Sequence, residues 1–201
     1  MAGAPIEFYF DFNSPYGFIA AHKIDALAAK YGRTVDWRPV LLGAIFKVTG
    51  GAPLPDLPLK GAYSKRDFAR SARFHGVAIN MPAKFPFSPV AASRAVWWAK
   101  GQDEAKAHAL ALALFQAALR DGKDVTAPDA VADIAASCGF DRAAVLAGLN
   151  DGAVKQKLVD AVEAAIKAGV FGSPYVIVDG EPFWGMDRFD QLERWLATGG
   201  F

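Results

Sequence analysis

Cysteine is almost missing from this chain: Cys138 is the single example in 201 residues. One thiol cannot close an internal disulfide, and a chain without a CxxC pair cannot exchange dithiols. Histidine is scarce as well. His22, His75 and His108 stand far apart and lack metal-ligand spacing, so no metal is expected. No uninterrupted apolar run approaches the ~20 residues that a bilayer span needs. The alanine-rich stretch 108–119 comes nearest, and polar Gln116 and Arg120 interrupt or flank it. The N-terminal residues show no basic stretch followed by an apolar one, so no secretory leader is expected. Charge is balanced, with 22 Lys and Arg against 21 Asp and Glu. That balance argues against nucleic acid or a membrane surface as a partner, because both demand concentrated positive charge. The absences together point to a soluble cytoplasmic protein.

Core material is plentiful: 53% of residues are hydrophobic and 21% charged. The length suits one domain carrying a large insertion. Residues 6–12 (IEFYFDF) read as a buried strand, rich in aromatic and β-branched types. Ser14-Pro15 then opens a helix, serine as N-cap and proline at the first helical position. Apolar residues recur at helical spacing until Tyr31-Gly32, and 34–41 reads as a second strand. This is a parallel βαβ start.

Glycine and proline breakers make 43–58 read as irregular. Helical periodicity follows over 63–74, 89–100, 104–120, 128–137, 142–149 and 153–168. A proline-rich connector, 81–89, separates the first two. Near the end, 175–178 and 182–184 read as a hairpin about Asp179-Gly180, and Asp187 as the N-cap of a last helix. The fold class is therefore α/β, with an all-helical block (43–155) inserted between two outer pieces, 1–42 and 156–201.

Ser14 is the leading candidate for chemistry. By spacing alone it is an ordinary Ser-Pro helix cap, and no acid–base partner or GxSxG elbow makes it a nucleophile. A serine hydroxyl can still stabilise a ligand's thiolate. A free thiol has a pKa of about 8.5, so lowering it two units takes about 2.7 kcal/mol. One hydrogen bond to a charged acceptor supplies about 1.5–3 kcal/mol, and a helix N-terminus about 0.3–1 kcal/mol more. The sum suffices without a cation. Cys138 reads as a small hydrophobe on an apolar helix, and Trp97-Trp98 as one ring facing in and one out.

Three motifs, DFNSPYGF (11–18), LLGAIFKVTGG (41–51) and GVFGSPYVIVDGEPFWGMDRF (169–189), together resemble the 2-hydroxychromene-2-carboxylate isomerases. Those enzymes are related to kappa-class glutathione transferases and to thioredoxin-fold disulfide oxidoreductases. The resemblance implies a thioredoxin-like fold with a helical insertion, a homodimer, and glutathione as cofactor. It implies Ser14 where the oxidoreductases begin their CxxC, and Ser14-Pro15-Tyr16-Gly17 contains no cysteine.

Further roles follow from the same resemblance. Ser173-Pro174 matches a cis-proline dipeptide whose main chain pairs with glutathione, although base rates alone favour a trans bond there. Gly185, Met186, Asp187 and Arg188 match the segment that receives the γ-glutamyl end. Lys60 matches a lysine for the glycine carboxylate, Lys47 one for the substrate carboxylate, and Phe85 an aromatic lining the pocket. Read from sequence alone, these are equally a surface lysine, a core phenylalanine and a plain Asp cap. Gly51 departs from the family's asparagine, and Ser88-Pro89 from its Asn-Thr. The implied activity is glutathione-dependent isomerisation of a small aromatic carboxylate. Its rivals are a conjugating transferase and a non-catalytic thioredoxin-like binding protein.

Overall fold

The computed structural model describes residues 3–201. Four strands, β1 (Ile6–Phe10), β2 (Val35–Pro39), β3 (Tyr175–Val178) and β4 (Glu181–Trp184), form one sheet in the order β2-β1-β3-β4. β1 pairs parallel to β2 and antiparallel to β3, and β3 pairs antiparallel to β4. Two helices, α1 (Pro15–Ala21) and α2 (Ile24–Lys30), make the crossover between β1 and β2. The helical block follows as α3 (Leu42–Thr49), α4 (Lys60–Phe74), α5 (Val90–Lys100), α6 (Glu104–Leu119), α7 (Pro128–Ser137) and α8 (Arg142–Asn150). α9 (Gly152–Lys167) leads back to the sheet, and α10 (Phe189–Thr198) ends the chain. No helix among the described residues is long and apolar enough to cross a membrane.

Side chains alternate across β1, so its two faces feed two cores. Ile6, Phe8 and Phe10 join the larger cluster with α1, α5 and α6, while Tyr9 joins a smaller one with Ile45, Leu158 and Val162. Phe115 of α6 lies 5.3 Å from Phe10, 4.7 Å from Phe12 and 5.7 Å from Phe18, centroid to centroid. The helical block thus shares its aromatic centre with the sheet. Such ring pairs add about 0.5–1.5 kcal/mol each beyond the area they bury.

Three expectations need correction. The first helix is two, because His22 N–H bonds the Ile19 carbonyl and the His22 ring takes the Phe18 carbonyl at 2.9 Å. These local bonds tighten the turn and end α1. Residues 43–49 are helical rather than irregular. Gly43 falls in the first turn of α3, and the true stop is Gly50, a left-handed C-cap at φ 73°. Neither Trp97 nor Trp98 points outward. Trp97 donates to the Pro39 carbonyl at 2.9 Å, and Trp98 meets Phe140 edge to face.

The hairpin expected at Asp179-Gly180 is present, both residues having positive φ as a tight two-residue turn requires. Arg33 grips Asp179 bidentately and also bonds the Ala4 carbonyl, fastening the turn to the start of β1. Cys138 is half-buried at the end of α7, where burial pushes its thiol up.

Candidate active site

β1 ends at a buried carboxylate. Asp11 is 1% exposed, and its Oδ1 accepts the Asn13 N–H while its Oδ2 accepts the Leu42 N–H, each at 2.7 Å. One side chain therefore shapes the turn before Ser14 and holds the N-terminus of α3. Burial pushes its carboxyl up to about 6, against the backbone donors that favour ionisation. Asp11 was not singled out in the sequence. The signal available was an Asp two residues before an Asn ahead of Ser-Pro, the composition of an Asx turn.

Ser14 caps α1 as its position predicts, its Oγ accepting the Gly17 N–H at 2.9 Å. The same hydroxyl donates to the Ser173 carbonyl at 2.7 Å. Ser14 is 5% exposed, so its proton is committed to the protein in this state. The Ser173–Pro174 bond is cis, as the resemblance implies and base rates do not. The Ser173 hydroxyl in turn accepts the Asp11 N–H at 3.0 Å. The two serines thus tie the end of β1, the start of α1 and the segment leading into β3 into one knot.

Gly17 leaves room for that knot. A Cβ placed there would stand 2.8 Å from Ser173 Oγ and 3.1 Å from Ser14 Cβ. Gly17→Ala is expected to destabilise by about 1–3 kcal/mol through overpacking. The double variant Gly17→Ala/Ser173→Ala should lose less than the sum of the singles by about 1 kcal/mol. Urea denaturation of the four chains reads the coupling, and simple additivity would refute the contact.

Further predicted residues converge on the same place. The Gly185 N–H bonds the Pro174 carbonyl at 3.0 Å, so residues 185–188 continue directly from the Ser173-Pro174 segment. Met186 is buried, and the turn Met186–Arg188 packs on α1. Asp187 does not cap the last helix: it lies within that turn, 73% exposed at the side chain, with the Arg188 guanidinium 3.1 Å away. α10 begins only at Phe189, because the turn takes up the residues before it.

Lys60 opens α4 and Lys47 sits on the last turn of α3; both are exposed and neither forms an ion pair among the described residues. α4 is held against α1 by the Tyr16 hydroxyl donating to Asp67 and by Tyr16 against Phe68, 5.0 Å between centroids. Burial and the Asp67 carboxylate push the Tyr16 phenol well above its ordinary range, so it stays a neutral donor. Phe85 is half-buried against Phe87, which bonds Asn13, the neighbour of Ser14. No contact brings Lys47 to Ser14. At Gly51 a Cβ would lie 2.6 Å from the Phe46 ring.

Two clefts, of about 340 Å³ beside β4, with Arg188 in its lining, and about 740 Å³ beside the N-terminal ends of β1 and β2, do not reach Ser14. The chemistry available is therefore that of a hydroxyl, a helix mouth and main-chain groups near the surface, with unpaired lysines on the flanking helices.

Comparison with known proteins agrees with this fold. The DSBA-like thioredoxin domain family matches residues 5–197. A 2-hydroxychromene-2-carboxylate isomerase from Sphingobium xenophagum is 31% identical over 194 residues, covering 95% of this chain and 97% of the relative. The solved structure of a 2-hydroxychromene-2-carboxylate isomerase superposes with a TM-score of 0.85 at 28% identity, covering 96% of this chain and 94% of that one. A glutathione S-transferase kappa 1 from Rattus norvegicus is 25% identical over 216 residues, covering 98% and 96%. A non-catalytic binding protein is set aside by these relatives. The chain belongs to the DSBA-like thioredoxin domain family and, more narrowly, to the 2-hydroxychromene-2-carboxylate isomerases, and it is an enzyme of the isomerase class.

Proposed function

We propose that the enzyme uses glutathione to interconvert 2-hydroxychromene-2-carboxylate and trans-o-hydroxybenzylidenepyruvate, a step of aromatic hydrocarbon catabolism. The observation that carries this reading is the Ser14 hydroxyl at the mouth of α1, one hydrogen bond away from the Ser173 carbonyl. Relatives named as kappa glutathione S-transferases support the choice of thiol.

Because Ser14 already spends its proton on Ser173, the thiol must displace that bond. In the proposed complex the Ser173 carbonyl would accept the cysteinyl N–H of glutathione, in a strand-like pairing with the segment before Pro174. The Ser14 hydroxyl then rotates toward the sulfur, keeping the Gly17 N–H as its own donor. With the Ser173 carbonyl still paired, the bond to the charged sulfur, about 1.5–3 kcal/mol, together with about 0.3–1 kcal/mol from the helix N-terminus, favours the thiolate. Lys60 meets the glycine carboxylate, and residues 185–188 receive the γ-glutamyl end, with main-chain N–H groups toward its carboxylate and Asp187 toward its ammonium.

Bound glutathione would supply a thiolate that adds reversibly to a conjugated carbon of the substrate, allowing ring opening and rotation about the former double bond with no net loss of thiol. Lys47 holds the substrate carboxylate and Phe85 faces the ring. Residues 1–42 and 156–201 form the thioredoxin-like domain that carries most of the glutathione site, and the helical insertion 43–155 adds Lys60 to it and carries Lys47 and Phe85 for the substrate. We place the enzyme in the cytoplasm as a homodimer.

Turnover of the chromene carboxylate is measured with and without glutathione. The expected result is no turnover without it and no net thiol loss with it. Full turnover in its absence overturns the reading. The kappa relatives favour one alternative, conjugation, which stoichiometric loss of thiol would establish instead.

A further inference from the structure

Between Asp11 and Ser14 stands a side chain whose bonding the reaction scheme leaves unused. The Asn13 amide nitrogen donates to the Phe87 carbonyl at 2.8 Å, and its amide oxygen accepts the Phe87 N–H at 2.9 Å. One side chain meets both main-chain groups of a residue 74 positions away, as a paired strand would. The segment it grips joins α4 to α5 and has no helix or strand of its own. Its main-chain ties flank residues 81–88: the Asn80 N–H bonds the Leu119 carbonyl at 2.6 Å, and the Pro89 carbonyl accepts the Ser93 N–H at 2.9 Å. Phe85 and Phe87 meet edge to face at 6.3 Å, and both lean half-buried on the main core.

The main chain around Asn13 does not depend on this grip. The Asn13 N–H goes to Asp11 Oδ1, and the Ser14 N–H goes to the Asp11 carbonyl at 2.9 Å. Removing the amide therefore unties residues 81–89 while leaving Ser14, its cap bond and its link to Ser173 in place. Asn13 is connected to one side of the site only.

We infer that Asn13 is a positioning residue for the aromatic substrate: it fixes Phe85 and Phe87 beside Ser14 and sets affinity for the aromatic carboxylate but not for glutathione. The inference rests on the substrate-facing role given to Phe85 above. Its chemistry is separable from catalysis, since a wall that binds an aromatic carboxylate does so whether or not the ligand reacts.

The test uses 2-naphthoate, an unreactive bicyclic carboxylate, titrated calorimetrically into the wild type, Asn13→Ala and Asn13→Leu. Leucine keeps the branched shape and the heavy-atom count of the asparagine side chain and makes no side-chain hydrogen bond, so it guards against simple loss of packing. Both variants are expected to bind 2-naphthoate about tenfold more weakly, equivalent to about 1.4 kcal/mol, with glutathione affinity within about twofold of wild type. Amide hydrogen exchange at Phe87 should accelerate at least about tenfold in both, as expected for an N–H that loses its acceptor. Equal weakening of both ligands, no weakening of 2-naphthoate, unchanged exchange at Phe87, or a wild type that does not bind 2-naphthoate would each overturn the inference. A wild type inactive toward the chromene carboxylate that still shows the split refutes the isomerisation reading alone. An active wild type without the split refutes the role of Asn13 alone.

Discussion

Ser14→Ala is expected to lower turnover about 10- to 25-fold at pH 7, with the deficit shrinking to about threefold or less by pH 9.5. With a bound-thiol pKa of about 6.5, about three-quarters is ionised at pH 7; at the free value of about 8.5 only about 3% is. The ratio sets the upper bound of about 25. A more basic thiolate is intrinsically the better nucleophile, which returns part of the loss. Above pH 9 the thiol ionises unaided and the two enzymes converge. A pH–rate profile of both chains against saturating glutathione checks this. A deficit that stays constant across the range would remove ionisation from the role of Ser14. The same substitution deletes a helix cap and the donor to Ser173. It should therefore also cost about 1–2 kcal/mol of stability, or a few degrees in Tm for a domain of this size.

Asp11→Ala has its largest effect on folding, and that effect depends on pH. Two buried N–H groups, of Asn13 and Leu42, lose their acceptor. At about 1–3 kcal/mol each the cost is about 4 kcal/mol at acid pH. In the wild type the folded-state pKa of about 6 lies above the ordinary 3.8. Below pH 4 both folded and unfolded Asp11 are protonated, and the contribution is fully present. Between pH 4 and 6 the unfolded chain releases its proton while the fold retains one, so stability is lost as pH rises. The shift of about two units corresponds to about 3 kcal/mol. Alanine has nothing to titrate. The variant should thus be about 4 kcal/mol less stable near pH 4 and only about 1 kcal/mol less stable above pH 7. Urea denaturation at the two pH values measures the difference. Curves that stay parallel would mean that Asp11 is ionised throughout, its N–H donors outweighing its burial.

The strands and most helices were legible because their signals are local. Aromatic and β-branched residues mark β1, and Asp179-Gly180 marks the hairpin. Periodicity marks α4 to α9, and Ser14-Pro15 states its own cap. α3 was hidden because its N-terminus is satisfied by Asp11, 31 residues upstream, so no cap precedes it in the chain. Its glycine at 43 read as a breaker although it falls in the first turn. The hydroxyl of Ser14 was legible as a cap but not as a donor to Ser173, 159 residues on. Asn13 escaped notice for the same reason, since its partner is created only when the helical block folds back over the sheet. Asp187 illustrates the reverse case. A good local cap signal was overridden by the tight turn that joins residue 185 to Pro174.

The close fit of Gly17 against Ser173 also bears on how this sequence can change over generations. A lineage that first acquires a side chain at position 17 meets the hydroxyl already occupying that space. One that first drops the hydroxyl leaves the Asp11 N–H without a partner. Either order passes through a weakened ancestor, so the two positions are expected to change together or remain as they are.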